Sequence, residues 1–404
     1  MLKPRNKPYI NVVNNSKQAL EKLFDITTDI IDGPSKHNTN PYEYYQKSSR
    51  DDVNEIRKVL ESWFKEYPVK ETKELKGRFK KEFYTAFYEL FLFKLFKNQG
   101  FKIEIHPKLK LSKKRPDFLI EKNGHKCYVE AKVFTDKTKE QVGVEKKQNQ
   151  LLDEINKIRI KGFLLQISEL SFLTNKQPRT KELIKLIESE VSKINRKELE
   201  KDLAEKGFDR IPEIKYKNKD FSISVRPMPL IDSVKDKISD TPIGMLPVET
   251  FWGGGQESLK GSIIKKAKRY GEFEIPYLIC INAIGHKTSG KIEIENVIWG
   301  SLAWSFTNNP DDKDGKWIRK SDGIFHNGRR ATKTNVSGIL VTKVFPFGIP
   351  NSKYWLYKHP FAKYPFDFEL LDLKLNFIKD GQIISQEGED LDKIFEISKS
   401  WLSE

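Results

Sequence analysis

The chain has 404 residues, 73 of them Lys or Arg against 57 Asp or Glu, and carries a formal net charge of +16. A field of that sign draws in polyanions, nucleic acid or an anionic membrane surface, without specifying which. No run of about 18 apolar residues is present and the first residues lack the apolar core of a secretory signal, so no membrane partner and a cytoplasmic location are expected.

Residues 1 to 75 read as a largely helical N-terminal region. Within 16 to 31 the apolar groups Leu20, Leu23, Phe24 and Ile30 suggest one helix, and Asp52 with Glu55 can box the start of another that runs through Trp63. A polar, Pro-containing linker at 33 to 45 separates them. Residues 79 to 99 then place Phe79, Phe83, Ala86, Phe87, Leu90, Phe93 and Phe96 at three-and-four spacing, with Asn98 and Gly100 as stop signals, which predicts one helix. Glu89 lies on that apolar stripe, so its carboxylate points at the core, where a bound cation would offset its burial. Glu82, two turns earlier on nearly the same side, is its rival for that role.

Residues 101 to 105 alternate as a strand. The next signal is the strongest in the chain: Asn123-Gly124, the pair preferred where both central positions of a turn need positive φ, stands between two runs rich in Ile, Val, Tyr and Phe. A hairpin follows. Along its second strand Tyr128, Glu130 and Lys132 share one face, and Cys127, Val129, Ala131 and Val133 the other. Asp117 enters the first strand just behind Pro116 and so lies beside the face of Glu130 and Lys132.

Two carboxylates and a lysine around one point suit phosphodiester hydrolysis. The carboxylates offer hard oxygen ligands to Mg²⁺ or Mn²⁺, and the lysine can position or deprotonate the attacking water or stabilise the transition state. Pro116-Asp117 followed after twelve residues by Glu130-Ala131-Lys132 resembles the motif of the PD-(D/E)xK nuclease superfamily, the restriction-endonuclease-like fold. The resemblance spans roughly residues 79 to 170. It implies an α-β-β-β-α-β core, Asp117 and Glu130 as metal ligands joined by Glu89 from the preceding helix, and Lys132 as the catalytic lysine.

The elements that follow are expected to complete that core. Val144, Gln148, Leu151, Ile155 and Ile158 form a helical stripe, with Gln148 as its polar member and a candidate support for the site, and the apolar run 163 to 167 supplies the next strand. The expected organisation is therefore an α/β protein with a helical region to residue 75, a nuclease core at 76 to 175, and an α/β C-terminal part at 176 to 404. That last part either extends the sheet or forms a companion lobe. It contains a helical stretch at 181 to 205, strands near 221 to 225, 277 to 284 and 338 to 345, and helices near 258 to 270 and 390 to 401.

Lys113, Lys114 and Arg115 beside Asp117, and Lys265, Lys268 and Arg269 on the helix near 258 to 270, are the candidate backbone-binding cations, with DNA favoured over RNA. A homodimer and a larger complex both fit. Two glycine motifs carry weaker meaning. Gly285 to Lys291 matches a phosphate loop up to Ile292, where a hydroxyl is required, and 292 to 295 alternates like a strand. Trp252-Gly253-Gly254-Gly255 precedes a helix and reads as a turn. Cys127 and Cys280 read as core thiols, and neither they nor the scattered His37, His106, His125, His286, His326 and His359 fall at zinc-ligand spacing.

Overall fold

The structure, a computed structural model, describes residues 21–403 except 26, 111, 235, 237, 240, 248–253, 272, 286, 288, 289, 307–314, 327–329 and 381. The chain enters without a helix. The backbone N–H groups of Leu23 and Phe24 donate to the Glu61 carboxylate at 3.2 and 2.7 Å, so they are satisfied by a side chain instead of by a helical turn. The helix expected at 16 to 31 is absent from its described part, and residues 16 to 20 lie outside the described residues.

Four helices follow: α1 (Pro41–Lys47), α2 (Asp51–Glu66), α3 (Val69–Lys81) and α4 (Phe83–Asn98). The box expected from Asp52 and Glu55 does not form, because the Asp52 carboxylate is held by Arg50 at 2.7 Å and by the Val53 N–H. The single helix expected over 79 to 99 is two, parted at Glu82, whose φ of −137° leaves the helical region. α3 buries one stripe, whereas α4 is apolar almost all round and is enclosed by the rest of the core. Glu82 itself is exposed, whereas Glu89 is buried within α4.

Next come β1 (Lys102–Ile105), β2 (Phe118–Lys122) and β3 (His125–Phe134), paired antiparallel in that order. The hairpin turn has Asn123 at φ 51° and Gly124 at φ 81°, the two positive angles that a two-residue turn of this kind requires.

The chain then leaves this sheet. A capping box between Thr138 and Gln141 opens α5 (Lys139–Ile155), followed by β4 (Phe163–Phe172), α6 (Lys181–Ser192), α7 (Arg196–Lys206), β5 (Ile214–Lys217), β6 (Phe221–Pro229) and β7 (Ile243–Met245). The strands form a separate four-stranded sheet in the order β5-β6-β4-β7, with a core of its own built on Leu151, Ile155, Leu165, Ile187 and Phe221. The helical stretch 181 to 205 is thus two helices, the second capped by Asn195.

The chain returns through α8 (Gly255–Ala267) to β8 (Tyr277–Ala283), α9 (Lys291–Trp299), a two-stranded ribbon of β9 (Leu302–Ser305) and β10 (Lys316–Arg319), then β11 (Gly338–Lys343), β12 (Lys353–Lys358), β13 (Leu375–Lys379), β14 (Gln382–Gln386) and the short α10 (Leu391–Phe395). The main sheet is mixed and eight-stranded, in the order β1-β2-β3-β8-β11-β12-β13-β14. β8 lies parallel to β3, with Glu130 opposite Ile279 and Lys132 opposite Ile281. C-terminal strands therefore extend the sheet.

This corrects the expected partner of β3. The strand over 163 to 172 pairs with β6 and β7, and β8 takes the place beside β3. Burial explains the choice. Every residue of β8 is buried, as a central parallel strand requires, whereas β4 alternates and suits a sheet with one solvated face. With the four-stranded unit set aside, the elements α4, β1, β2, β3, α8 and β8 stand in the order α-β-β-β-α-β.

Period two sorts the main sheet into two faces. Cys127, Val129, Leu278, Cys280 and Leu340 pack with α1 to α4, and Tyr277, Ile279, Ile281, Ile339 and Val341 pack with α8 and α9. Both cysteines are free and buried.

Candidate functional site

The open end of the β2–β3 hairpin, away from its turn, collects the chemistry. Beyond the last β1–β2 pair, Ile105 with Phe118, His106 and Asp117 face each other, and the His106 N–H donates to the Asp117 carbonyl oxygen at 3.0 Å. His106 adopts φ 48°, a left-handed angle uncommon for a residue with a side chain. The Asp117 Oδ2 accepts from the Ala131 N–H at 2.6 Å, which ties the entry of β2 to the functional strand β3.

From the α4 side comes Glu89, 1% exposed. Tyr67 donates to its Oε1 at 2.8 Å and Arg78 to its Oε2 at 2.5 Å. One ligand atom each from Glu89, His106 and Asp117 lies within 4.8 Å of the others. Burial, then repulsion from Glu89, push the Asp117 carboxyl above the usual carboxylate range, against the pull of the Ala131 N–H. The residue types fit a divalent cation: a buried and a half-buried carboxylate stand close enough to repel, with Arg78 on Glu89 alone, and an imidazole stands alongside.

Glu130 sits on the other face of the sheet, also 1% exposed. Its Oε1 is in contact with Lys266 Nζ and lies 3.5 Å from Arg269, and the Tyr270 hydroxyl donates to its Oε2. Burial and the nearby Asp117 raise its pKa, and Lys266 and Tyr270 oppose the rise. Glu130 is outside the three-donor cluster of Glu89, His106 and Asp117, but it lies close enough to Asp117 to feel its charge.

Lys132 stands two residues along on the same face. Desolvation and the positive field of Lys266 lower its pKa, with Glu82 opposing. It opens onto a cleft of about 510 Å³ lined by Lys114, Lys132, Ser262, Lys265, Lys266, Lys268 and Arg269. The two basic groups identified from the sequence meet here: Lys114 donates to the Arg269 carbonyl at 3.1 Å, and the Tyr270 hydroxyl lies 2.7 Å from the Arg115 carbonyl. Lys113 and Arg115 are exposed beside the cleft without lining it.

Gln148 is not part of this assembly. α5 turns its apolar side into the four-stranded unit, and Gln148 lines a different cavity of about 530 Å³ with Asp136, Glu145, Leu152 and Lys287. The glycine motifs also resolve. Residues 292 to 295, expected to alternate as a strand, begin α9, so the loop after β8 does lead from a strand to a helix. It receives a carboxylate, however: Asp136 accepts from the Lys287 N–H at 2.8 Å, and Ile292 is exposed where a hydroxyl would be needed. His286, Thr288 and Ser289 lie outside the described residues, as do Trp252 and Gly253. Gly255 serves close packing, since a Cβ there would stand 2.5 Å from the Lys287 carbonyl oxygen.

Sequence reasoning missed His106, Lys266, Tyr270, Tyr67 and Arg78. Lys266 had one usable signal, its place beside the inward Ala267. His106 had none. Comparison of the chain with protein-family models, curated proteins and solved structures finds no match.

Proposed function

We propose that the protein is a divalent-metal-dependent endonuclease that hydrolyses phosphodiester bonds in DNA, on a restriction-endonuclease-like core formed by α4, β1, β2, β3, α8 and β8. One observation carries this reading: the carboxylate–imidazole cluster at the mouth of the hairpin includes Asp117, which lies in the field of Lys266, and Lys266 lines a cleft whose charged lining is entirely cationic. The resemblance of Asp117, Glu130 and Lys132 to the PD-(D/E)xK motif supports it. A role in restriction or phage defence follows from that resemblance alone.

In this reading the backbone of the nucleic acid seats its phosphates among Lys114, Lys265, Lys268 and Arg269. Lys266, engaged with Glu130 in the free protein, gains a phosphate as a competing partner. A cation held by Asp117 and Glu89 would supply Lewis-acid neutralisation of the phosphate charge. Lys132, with its proton affinity lowered by desolvation and by Lys266, orients the attacking water and takes up its proton as the new P–O bond forms and the leaving oxygen departs.

A second reading has a specific observation behind it. Lys266, Arg269 and Tyr270 saturate the Glu130 carboxylate, which suits a nucleic-acid-binding protein that is inactive alone or cuts only within a larger complex. Incubation of the purified protein with plasmid, linear DNA and RNA, in Mg²⁺, Mn²⁺ or chelator, separates the two. The nuclease reading expects metal-dependent cleavage that Lys132→Ala reduces at least about a hundredfold while DNA affinity stays near wild type. No cleavage under any condition, or a Lys132→Ala protein that cuts normally, leaves the binding module.

A further inference from the structure

His106 departs from the all-carboxylate ligand set that the motif implies. Its ring reaches the carboxylates of Glu89 and Asp117 because the backbone leaves the β1 ladder at Ile105 and takes a positive φ, held there by the hydrogen bond from its N–H to Asp117. A non-glycine residue in that region costs on the order of 1–3 kcal/mol and is found where a ligand clamp or switch needs it. Glu71 places Oε2 3.9 Å from His106 Nδ1, within ion-pair range of the ring but beyond a hydrogen bond.

The carboxylates have capacity left. Tyr67 and Arg78 each use one lone pair on different oxygens of Glu89, and every carboxylate oxygen has two. Asp117 accepts the Ala131 N–H on Oδ2, and its Oδ1 accepts no hydrogen bond among the described residues. We propose that Glu89, His106 and Asp117 form a three-ligand metal site whose imidazole selects a later first-row ion such as Co²⁺ or Zn²⁺ over Mg²⁺. The inference rests on the proposed function only in sharing its carboxylates. Mg²⁺ demands near-octahedral oxygen ligation and keeps its waters, whereas imidazole donors favour the transition ions.

The test is direct metal binding by the full-length protein. Co²⁺ is titrated and followed by visible absorption, and Mg²⁺ is then added as competitor. Wild type should bind Co²⁺ with a d–d signature that a hundredfold excess of Mg²⁺ does not remove. His106→Asn should weaken Co²⁺ at least about tenfold, the scale on which even supporting residues of a metal site act. Asn tolerates the left-handed backbone, so the unfolding midpoint in chelator should stay at the wild-type value and show that the variant folds. His106→Asp, equally tolerant, replaces nitrogen with oxygen and should shift the preference towards Mg²⁺.

The inference is overturned if wild type binds no Co²⁺, if Mg²⁺ displaces it at equal concentration, or if His106→Asn binds like wild type. A separate outcome bears on the nuclease reading. Co²⁺ bound through His106 without cleavage of any nucleic acid keeps the metal site and removes the nuclease. Mg²⁺-supported cleavage that His106→Asn leaves intact keeps the nuclease and removes the imidazole selectivity.

Discussion

Burial and the charge of Glu89 push Asp117 above the usual carboxylate value, and the sign of that shift makes a stability prediction. A carboxyl whose folded pKa is raised contributes fully below its ordinary value of 3.8 and loses that contribution as pH rises through the folded value. Asp117→Asn keeps an acceptor for the Ala131 N–H but removes the charge. In chelator it should unfold at a higher temperature than wild type at pH 7, with the difference shrinking as pH falls towards 4. Equal or lower stability at pH 7 would show that Asp117 is not strained by charge. At this scale the sequence was readable at the strand face and the apolar stripe, while the Asp52–Glu55 box it suggested does not form. Strand alternation placed Glu130 and Lys132 together, and a polar residue in an apolar stripe exposed Glu89. His106 depended on the approach of the β1 exit to α4, a long-range contact with no local trace.

Helix α8 couples the cationic cleft to the sheet, and two of its glycines should respond to the same substitution with opposite signs. Gly255 begins the helix against the loop after β8, where an added Cβ meets the Lys287 carbonyl at 2.5 Å; Gly261 has nothing within 4 Å of that position. Gly255→Ala should destabilise by about 1–3 kcal/mol, as overpacking against backbone does. Gly261→Ala should stabilise by roughly 0.5–1 kcal/mol through helix propensity. Denaturant midpoints of the two variants decide it, and a stabilising Gly255→Ala would return that glycine to a mere flexible turn. The role of α8 as the helix ahead of β8 was hidden from sequence because strand pairing is set by tertiary burial. A clue was nonetheless available: residues 277 to 281 are apolar without interruption, as suits a strand buried on both faces, while 163 to 172 carry Gln166, Glu169 and Ser171.

Across the whole molecule the +16 charge is concentrated into function only where opposite charge is scarce. Many surface lysines are engaged by acids in neighbouring turns, such as Lys193 with Glu190 and Lys206 with Asp202, and such exposed pairs contribute little to stability or to the long-range field. The cleft differs. Lys114, Lys132, Lys265, Lys266, Lys268 and Arg269 line one volume of about 510 Å³, and Lys266 and Arg269 share one acid, Glu130. Six like charges held that close repel one another until a polyanion enters. Binding to duplex DNA should therefore weaken steeply with salt, the logarithm of affinity falling by about 0.9 per phosphate neutralised for each decade of salt. Replacing Lys114, Lys265 and Lys268 together by Gln should flatten the slope by roughly two to three units if each meets a phosphate. Replacing Lys193, Lys201 and Lys206, on α7 and the turn before it, removes the same formal charge from a surface where acids already stand. Measured by fluorescence anisotropy from 50 to 300 mM KCl, the first variant should lose slope and the second keep it. Equal loss in both would mean that net charge, and not the cleft, holds the nucleic acid.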